Sequence, residues 1–146
     1  MDTKEVILSQ RTRLGLSQEQ LAEKVMTTRQ AVSRWENGDT LPNTESLKLL
    51  SALFDVSINT LLGSPRKLFC QCCGMPLDDE CMSREPSGEF NEDYCKWCYA
   101  DGKFIYTSID ELIDYLVAHV PHGYPDEQTA RDGFRGELMK LGHWKE

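Results

Sequence analysis

Apolar residues recur at helical spacing, in short and well-punctuated runs, through the first sixty residues. In "LSQEQLAEKV", Leu21, Ala22 and Val25 share one face. Ser17, with Gln20 three residues on, opens that run as a capping box. Thr28 then caps "RQAVSRWE", which stops at Asn37-Gly38. After "DTLPN", Asn43 caps a run in which Leu47, Leu50, Leu53 and Phe54 recur at helical spacing, and Ser57 caps the short "INTLL". With "TKEVILSQRTR" in front, the pattern predicts five helices joined by short turns.

The pattern changes after "GSPRK" (63–67), a turn-rich joint that marks a boundary. Beyond it Phe69, Tyr94, Trp97, Tyr99, Phe104 and Tyr106 are scattered among polar residues, which predicts short hairpins. Helical spacing returns in "SIDELIDYLVAHV". Ile109, Leu112, Ile113, Leu116, Val117 and Val120 form its stripe, and Ser108 with Glu111 is read as a capping box. A weaker helix follows, with Ala130, Phe134, Leu138 and Leu141 on one side. Gly133 and Gly136 each cost it about 1 kcal/mol relative to Ala. Both helices are expected to cover a ribbon too small to stand alone, or else to form a dimer or partner face.

The predicted helix at 29–36 is two-faced. Val32 and Trp35 lie on one side; Gln30, Ser33, Arg34 and the following Asn37 lie on the other, with Arg29 at the border. Fork donors, amides and hydroxyls on an exposed helix are the groups that read major-groove base edges. Gln18, at the start of the preceding helix, stands where donors suit a phosphate. A merely solvated face has the same pattern, so this stretch alone leaves both readings open.

Charge sharpens the division. The net charge of the 146 residues is −8. Residues 1–63 hold 7 Lys/Arg against 8 Asp/Glu, while residues 64–146 hold 9 against 16. The acidity is therefore C-terminal, and the first half is free to carry a local basic face. No apolar run approaches a membrane span, and the charged "MDTKEVILSQ" does not read as a signal peptide. A cytoplasmic chain is therefore expected, nucleoid-associated if the polar face at 29–36 reads DNA.

Six cysteines without a secretion signal point to metal or thiol chemistry. Cys70-x-x-Cys73 and Cys95-x-x-Cys98 are separated by twenty-one residues. Each short loop can aim two thiolates at one soft cation, which suits tetrahedral Zn²⁺. Gly74 permits the tight turn after the first pair. A redox CxxC would sit in a βαβ pattern, and none is present. Four cysteines leave no open position, so the expected cofactor is one structural Zn²⁺ per chain. Cys72 and Cys81 are left over, either as inert thiols or as switch thiols beside the metal. His119 and His122 are not assigned to the metal.

The stretch "GLSQEQLAEKVMTTRQAVSRWENGDTLPNTESLKLLSALFDVSINTLL" resembles the helix-turn-helix domain of the XRE (Cro/lambda-repressor-like) transcriptional regulators. That resemblance implies a recognition helix at about 29–36. It puts Gln18 and Asn37 on phosphate-contacting positions, and Arg29, Gln30, Ser33 and Arg34 on groove-facing ones. It also implies an ion pair between Arg11 and Glu36. Gln10 departs from it, standing where the family places a core Leu. Similarly, "FCQCCGMPL" with "NEDYCKWCYADGKF" and the terminal "LMKLGHWK" resembles the putative zinc ribbon domain, with ligands at Cys70, Cys73, Cys95 and Cys98.

The expected architecture is thus mainly α. It comprises a five-helix DNA-binding domain (1–63), a linker (64–68), and a four-cysteine ribbon of short hairpins with C-terminal helices (69–146). The expected function is that of a bacterial DNA-binding transcriptional regulator acting on double-stranded DNA as a homodimer. The C-terminal module leaves room for a protein or small-molecule effector. A redox- or metal-responsive sensor is the alternative. An enzyme is not expected, because no nucleophile-base grouping, open metal position or phosphate-cradling loop is visible.

Overall fold

The computed structural model describes residues 1–145. Packing divides the chain into two compact units: Met1–Lys67 with Ser87–Phe90, and Leu68–Pro86 with the chain from Asn91 onward.

The first unit contains α1 (Thr3–Arg13), α2 (Gln18–Lys24), α3 (Arg29–Asn37), α4 (Thr44–Phe54) and α5 (Ile58–Leu61). Each helix begins at a residue able to accept from its first free N–H groups. Asp2, Ser17, Thr28, Asn43 and Ser57 are the caps. At Ser17 the box is reciprocal: Ser17 Oγ accepts from Gln20 N at 3.0 Å, and Ser17 N donates to Gln20 Oε1 at 2.8 Å. The helices enclose Ile7, Leu21, Val32, Leu50, Phe54 and Leu61, each at most 1% exposed.

Gln10 is half-buried. Its Oε1 accepts from Arg13 Nε at 2.7 Å, and Arg13 donates to the Phe54 carbonyl at the end of α4 at 3.2 Å. In place of a core Leu, Gln10 therefore steers an arginine onto the open C-terminal carbonyls of another helix.

The second unit carries β1 (Met82–Arg84), β2 (Phe90–Cys95), β3 (Tyr99–Ala100) and β4 (Lys103–Phe104), then α6 (Ile109–His119) and α7 (Glu127–Leu138). β1 pairs with β2, and β3 runs antiparallel to β4 with Tyr99 opposite Phe104. Leu112, Ile113 and Leu138 are buried against Cys70, Cys72, Cys95 and Cys98, so α6 and α7 do cover the ribbon. Arg131–Asp114 and Arg135–Asp110 ion pairs join the two helices on their outer side.

Three details depart from the sequence reading. The Ser108 box is only half formed. Ser108 Oγ accepts from Glu111 N at 3.3 Å, but the Glu111 carboxylate takes the Thr107 hydroxyl at 2.7 Å instead of the Ser108 amide. Thr107 offers both an N–H and an O–H one residue upstream, and two donors outcompete one. Val120 lies past the last turn of α6 with extended backbone, and is 38% exposed rather than part of the buried stripe. Gly133 is more than a weak point in α7, because a Cβ there would lie 2.3 Å from the Tyr124 hydroxyl. The residue lets that ring lie against the helix backbone.

Candidate nucleic-acid interface and metal centre

The face of α3 is built from its buried side outward. Val32 and Trp35 are 0% and 5% exposed and anchor the helix in the first core. Thr28 Oγ1 accepts from Ala31 N at 3.1 Å and closes its N-terminus. Its C-terminal end is held by Arg11, which binds both Glu36 carboxylate oxygens at 2.8 Å and the Leu16 carbonyl at 2.8 Å. This is the ion pair implied by the family resemblance. Its bidentate geometry fixes the direction of α3 as well as its attachment. Hydrogen bonding to Glu36 raises the Arg11 pKa further.

With that anchoring, Arg29, Gln30, Arg34 and Asn37 are exposed, and Ser33 is half-buried. Gln18 is the first residue of α2 and is half-buried. The turn between α2 and α3 contains Met26, with φ of 57° and 85% exposure. All six sequence-predicted residues therefore lie on α2 or α3, and four of them are open to a partner.

The second site is a sulfur cluster. Cys70, Cys73, Cys95 and Cys98 bring their Sγ atoms within 4.8 Å of one another. The first knuckle is closed by Gly74 N to the Cys70 carbonyl at 2.8 Å, with Gly74 at φ 83°. Cys98 N to the Cys95 carbonyl at 3.1 Å closes the second. Gln71 N donates to the Asp93 carbonyl at 2.7 Å, which ties the first knuckle to β2.

The sulfur geometry fits zinc. A regular tetrahedron with Zn–S bonds of about 2.3 Å has S···S edges of about 3.8 Å. Cys73 Sγ and Cys95 Sγ are 3.8 Å apart. Cys70 Sγ also accepts from Cys95 N at 3.3 Å and Cys73 N at 3.5 Å, the contacts a thiolate requires. Hydrogen bonding from Cys73, then Cys95 and Cys98, drives Cys70 strongly toward thiolate. The bond to Cys70 conversely holds Cys73 and Cys98 as thiols. Thiols packed this closely share protons, and a divalent cation can replace those protons.

Neither spare cysteine belongs to the four-sulfur group, although Cys72 shares its buried core. Cys72 is 0% exposed, and its carbonyl accepts from Trp144 Nε1 at 2.7 Å. Cys81 is 8% exposed, and its Sγ accepts from Asp78 N at 3.2 Å. Burial pushes the Cys81 pKa up, leaving it a poor nucleophile. His119 stacks on Tyr115 with ring centroids 4.5 Å apart and takes no part in the cluster.

Sequence reasoning did not find the support behind the first knuckle. Gln71 Oε1 accepts from Gly142 N at 3.0 Å, and the Gln71 carbonyl accepts from His143 N at 3.1 Å. Together with Trp144, these contacts fasten the end of the chain onto the cysteine loop. The only signal for them was the terminal "GHWK".

Known families share both patterns. A family model described as "Putative zinc ribbon domain" matches residues 69–145, more than half of the chain. The chain belongs to that zinc ribbon family. A second model, described as "Helix-turn-helix", matches residues 7–61. That match lies ahead of the zinc ribbon and covers α2–α5 with most of α1. Over 62 residues the chain is 47% identical to the HTH-type transcriptional activator BcrR of Enterococcus faecalis, which covers 42% of this chain. The chain spans about 30% of the length of that curated relative. A solved structure of the P22 c2 repressor protein in complex with synthetic operator 9T is 34% identical. The match covers 42% of this chain and 94% of that one, with a TM-score of 0.41.

Proposed function

We propose that the protein is a bacterial, cytoplasmic regulator of transcription that binds specific double-stranded DNA as a homodimer. Residues 1–63 would form the DNA-binding domain, 64–68 the linker, and 69–146 a module built on one structural zinc ion. The observation that carries this reading is the exposed face of α3, held from behind by the Arg11–Glu36 fork. Arg34 and Gln30 have the donor patterns that pair with guanine and adenine edges. Arg29 and Ser33 would border the groove. Gln18 and Asn37 would hold phosphates and set the register. One such helix reads few base pairs, so two half-sites about 34 Å apart would supply the specificity.

The test is selection of bound duplexes from a random pool, repeated with Gln30→Ala and Arg34→Ala. Each substitution should cost about 1–3 kcal/mol and relax preference at a defined base position. Gln18→Ala should weaken all sequences alike. Selection that is unchanged in both α3 variants would remove them from the reading surface.

A second reading makes DNA affinity follow the zinc-thiolate state. It draws on Cys72, which lies close enough to raise the Cys98 pKa. Against it stands the burial of both Cys72 and Cys81, which favours a structural role. Chelator and peroxide titrations, followed by operator binding, separate the two. Affinity that survives zinc loss ends the sensor reading.

A further inference from the structure

A cavity of about 360 Å³ opens within the C-terminal unit, between the two cysteine knuckles and helices α6 and α7, and Cys73, Cys95 and Cys98 of the sulfur cluster form part of its wall. Small-ligand sites span about 300–1,000 Å³, so a compact organic molecule fits it. Trp97, Tyr106, Tyr115 and Phe134 border it with four aromatic rings, over a floor that includes Leu112. Among the described residues that line it there is one carboxylate, Glu137, and no lysine, arginine or histidine.

This lining discriminates by charge. Aromatic faces attract cations through their quadrupoles, and Lys96 Nζ already sits 4.9 Å from the centroid of the Trp97 ring. Glu137 is exposed, and its contact with Lys140 is long, at 3.8 Å. Its carboxylate can therefore turn to a ligand at little cost. A neutral ligand covering Glu137 would strip water from a charge and offer nothing in return. An anion would be repelled. Four thiolates around one Zn²⁺ leave a net double negative charge, which adds to the same preference.

We infer that this cavity binds a lipophilic organic cation: an amine or quaternary ammonium joined to one compact aromatic or branched apolar group. The ammonium sits between Glu137 and the aromatic faces, and the apolar part fills the space over Leu112. The inference does not depend on the DNA-binding reading, because it concerns direct binding to the C-terminal module.

The test uses the zinc-loaded full chain, with three probes of one shape. Benzyltrimethylammonium is the cation, neopentylbenzene its neutral isostere, and benzylsulfonate the anion. The Trp97 indole N–H signal, assigned with Trp97→Phe, reports binding by NMR. The ammonium should shift that signal saturably, and the other two should bind about tenfold more weakly or worse. Glu137→Gln, on an exposed position, should keep zinc content and spectral dispersion but weaken the ammonium about tenfold. Equal affinity for the neutral isostere overturns the inference. So does an unchanged affinity in Glu137→Gln, or the absence of a saturable shift with the ammonium.

Discussion

The two units of this chain bury side chains of different chemistry. In the helix-turn-helix unit the core is aliphatic and aromatic, with Ile7, Leu21, Leu50, Phe54 and Leu61 at 0–1% exposure. In the zinc ribbon unit four of the seven fully buried cluster members are cysteines, joined by Leu112, Ile113 and Leu138. A core of the first kind is held by removing apolar surface from water. A core of the second kind has sulfur at its centre, and Leu77, Ile109, Leu116, Val117 and Leu141 around it are only partly buried. A bound divalent cation would add to its stability. The contrast predicts separate conditions for folding in the two units.

The largest expected effect tests that separation directly. Chelation, or Cys95→Ser, should remove a contribution on the order of 10 kcal/mol from the ribbon. Amide NMR signals from residues 68–145 should collapse to the unfolded range while those of α1–α5 keep their dispersion. Loss of both sets together would break the comparison.

The reverse experiment should be smaller. Phe54→Ala empties a site that is 1% exposed and should cost the helical unit about 3–5 kcal/mol. Thermal melts should show an earlier helical transition with the zinc content per chain unchanged.

Smaller again is the effect of relieving strain in the turn before α3. Met26 holds a left-handed backbone at φ 57° while 85% exposed, so its side chain contributes little packing. Met26→Gly should stabilise the helical unit by about 0.5–1 kcal/mol, the relieved strain less the added chain entropy. A denaturant midpoint that moves down would contradict this.

The smallest effect lies in the ribbon unit and depends on pH. Asp126 caps α7, accepting from Thr129 N at 2.7 Å, and that bond holds its carboxylate below the ordinary value. Because the folded pKa is depressed, this contribution is present above the unfolded value of about 3.9 and is lost as pH falls through the folded one. The start of α7 should therefore fray in acid, as followed by amide exchange at Thr129. Asp126→Asn, which keeps the cap but not the charge, should remove that pH dependence.

Much of the fold was legible because its signals are local. A cap requires only a short polar side chain next to a helical run, so Ser17, Thr28, Asn43 and Ser57 could be read directly. The clustering of the four cysteines was legible for a similar reason: two CxxC loops each place a pair of sulfurs without help from the rest of the chain. Where a local rule had two acceptable partners, the reading failed. Glu111 had both Ser108 and Thr107 within reach, and only the geometry of the turn chose Thr107. Gln10 looked like a defect in a core position until Arg13 came beside it, itself bound to the Phe54 carbonyl forty-one positions further on.

By itself, then, the sequence determined the order and type of the elements, the four clustered cysteines and the polar face of α3. Each depends on spacing within a few residues. Only the tertiary structure decided what those pieces meet. Trp144 reaches the Cys72 carbonyl across seventy-two positions, and Gly142 reaches Gln71 across seventy-one. The aromatic cavity around Glu137 is drawn from both cysteine knuckles and two helices distant along the chain. No spacing rule encodes such contacts, because they arise when separate elements bury their faces on a common core.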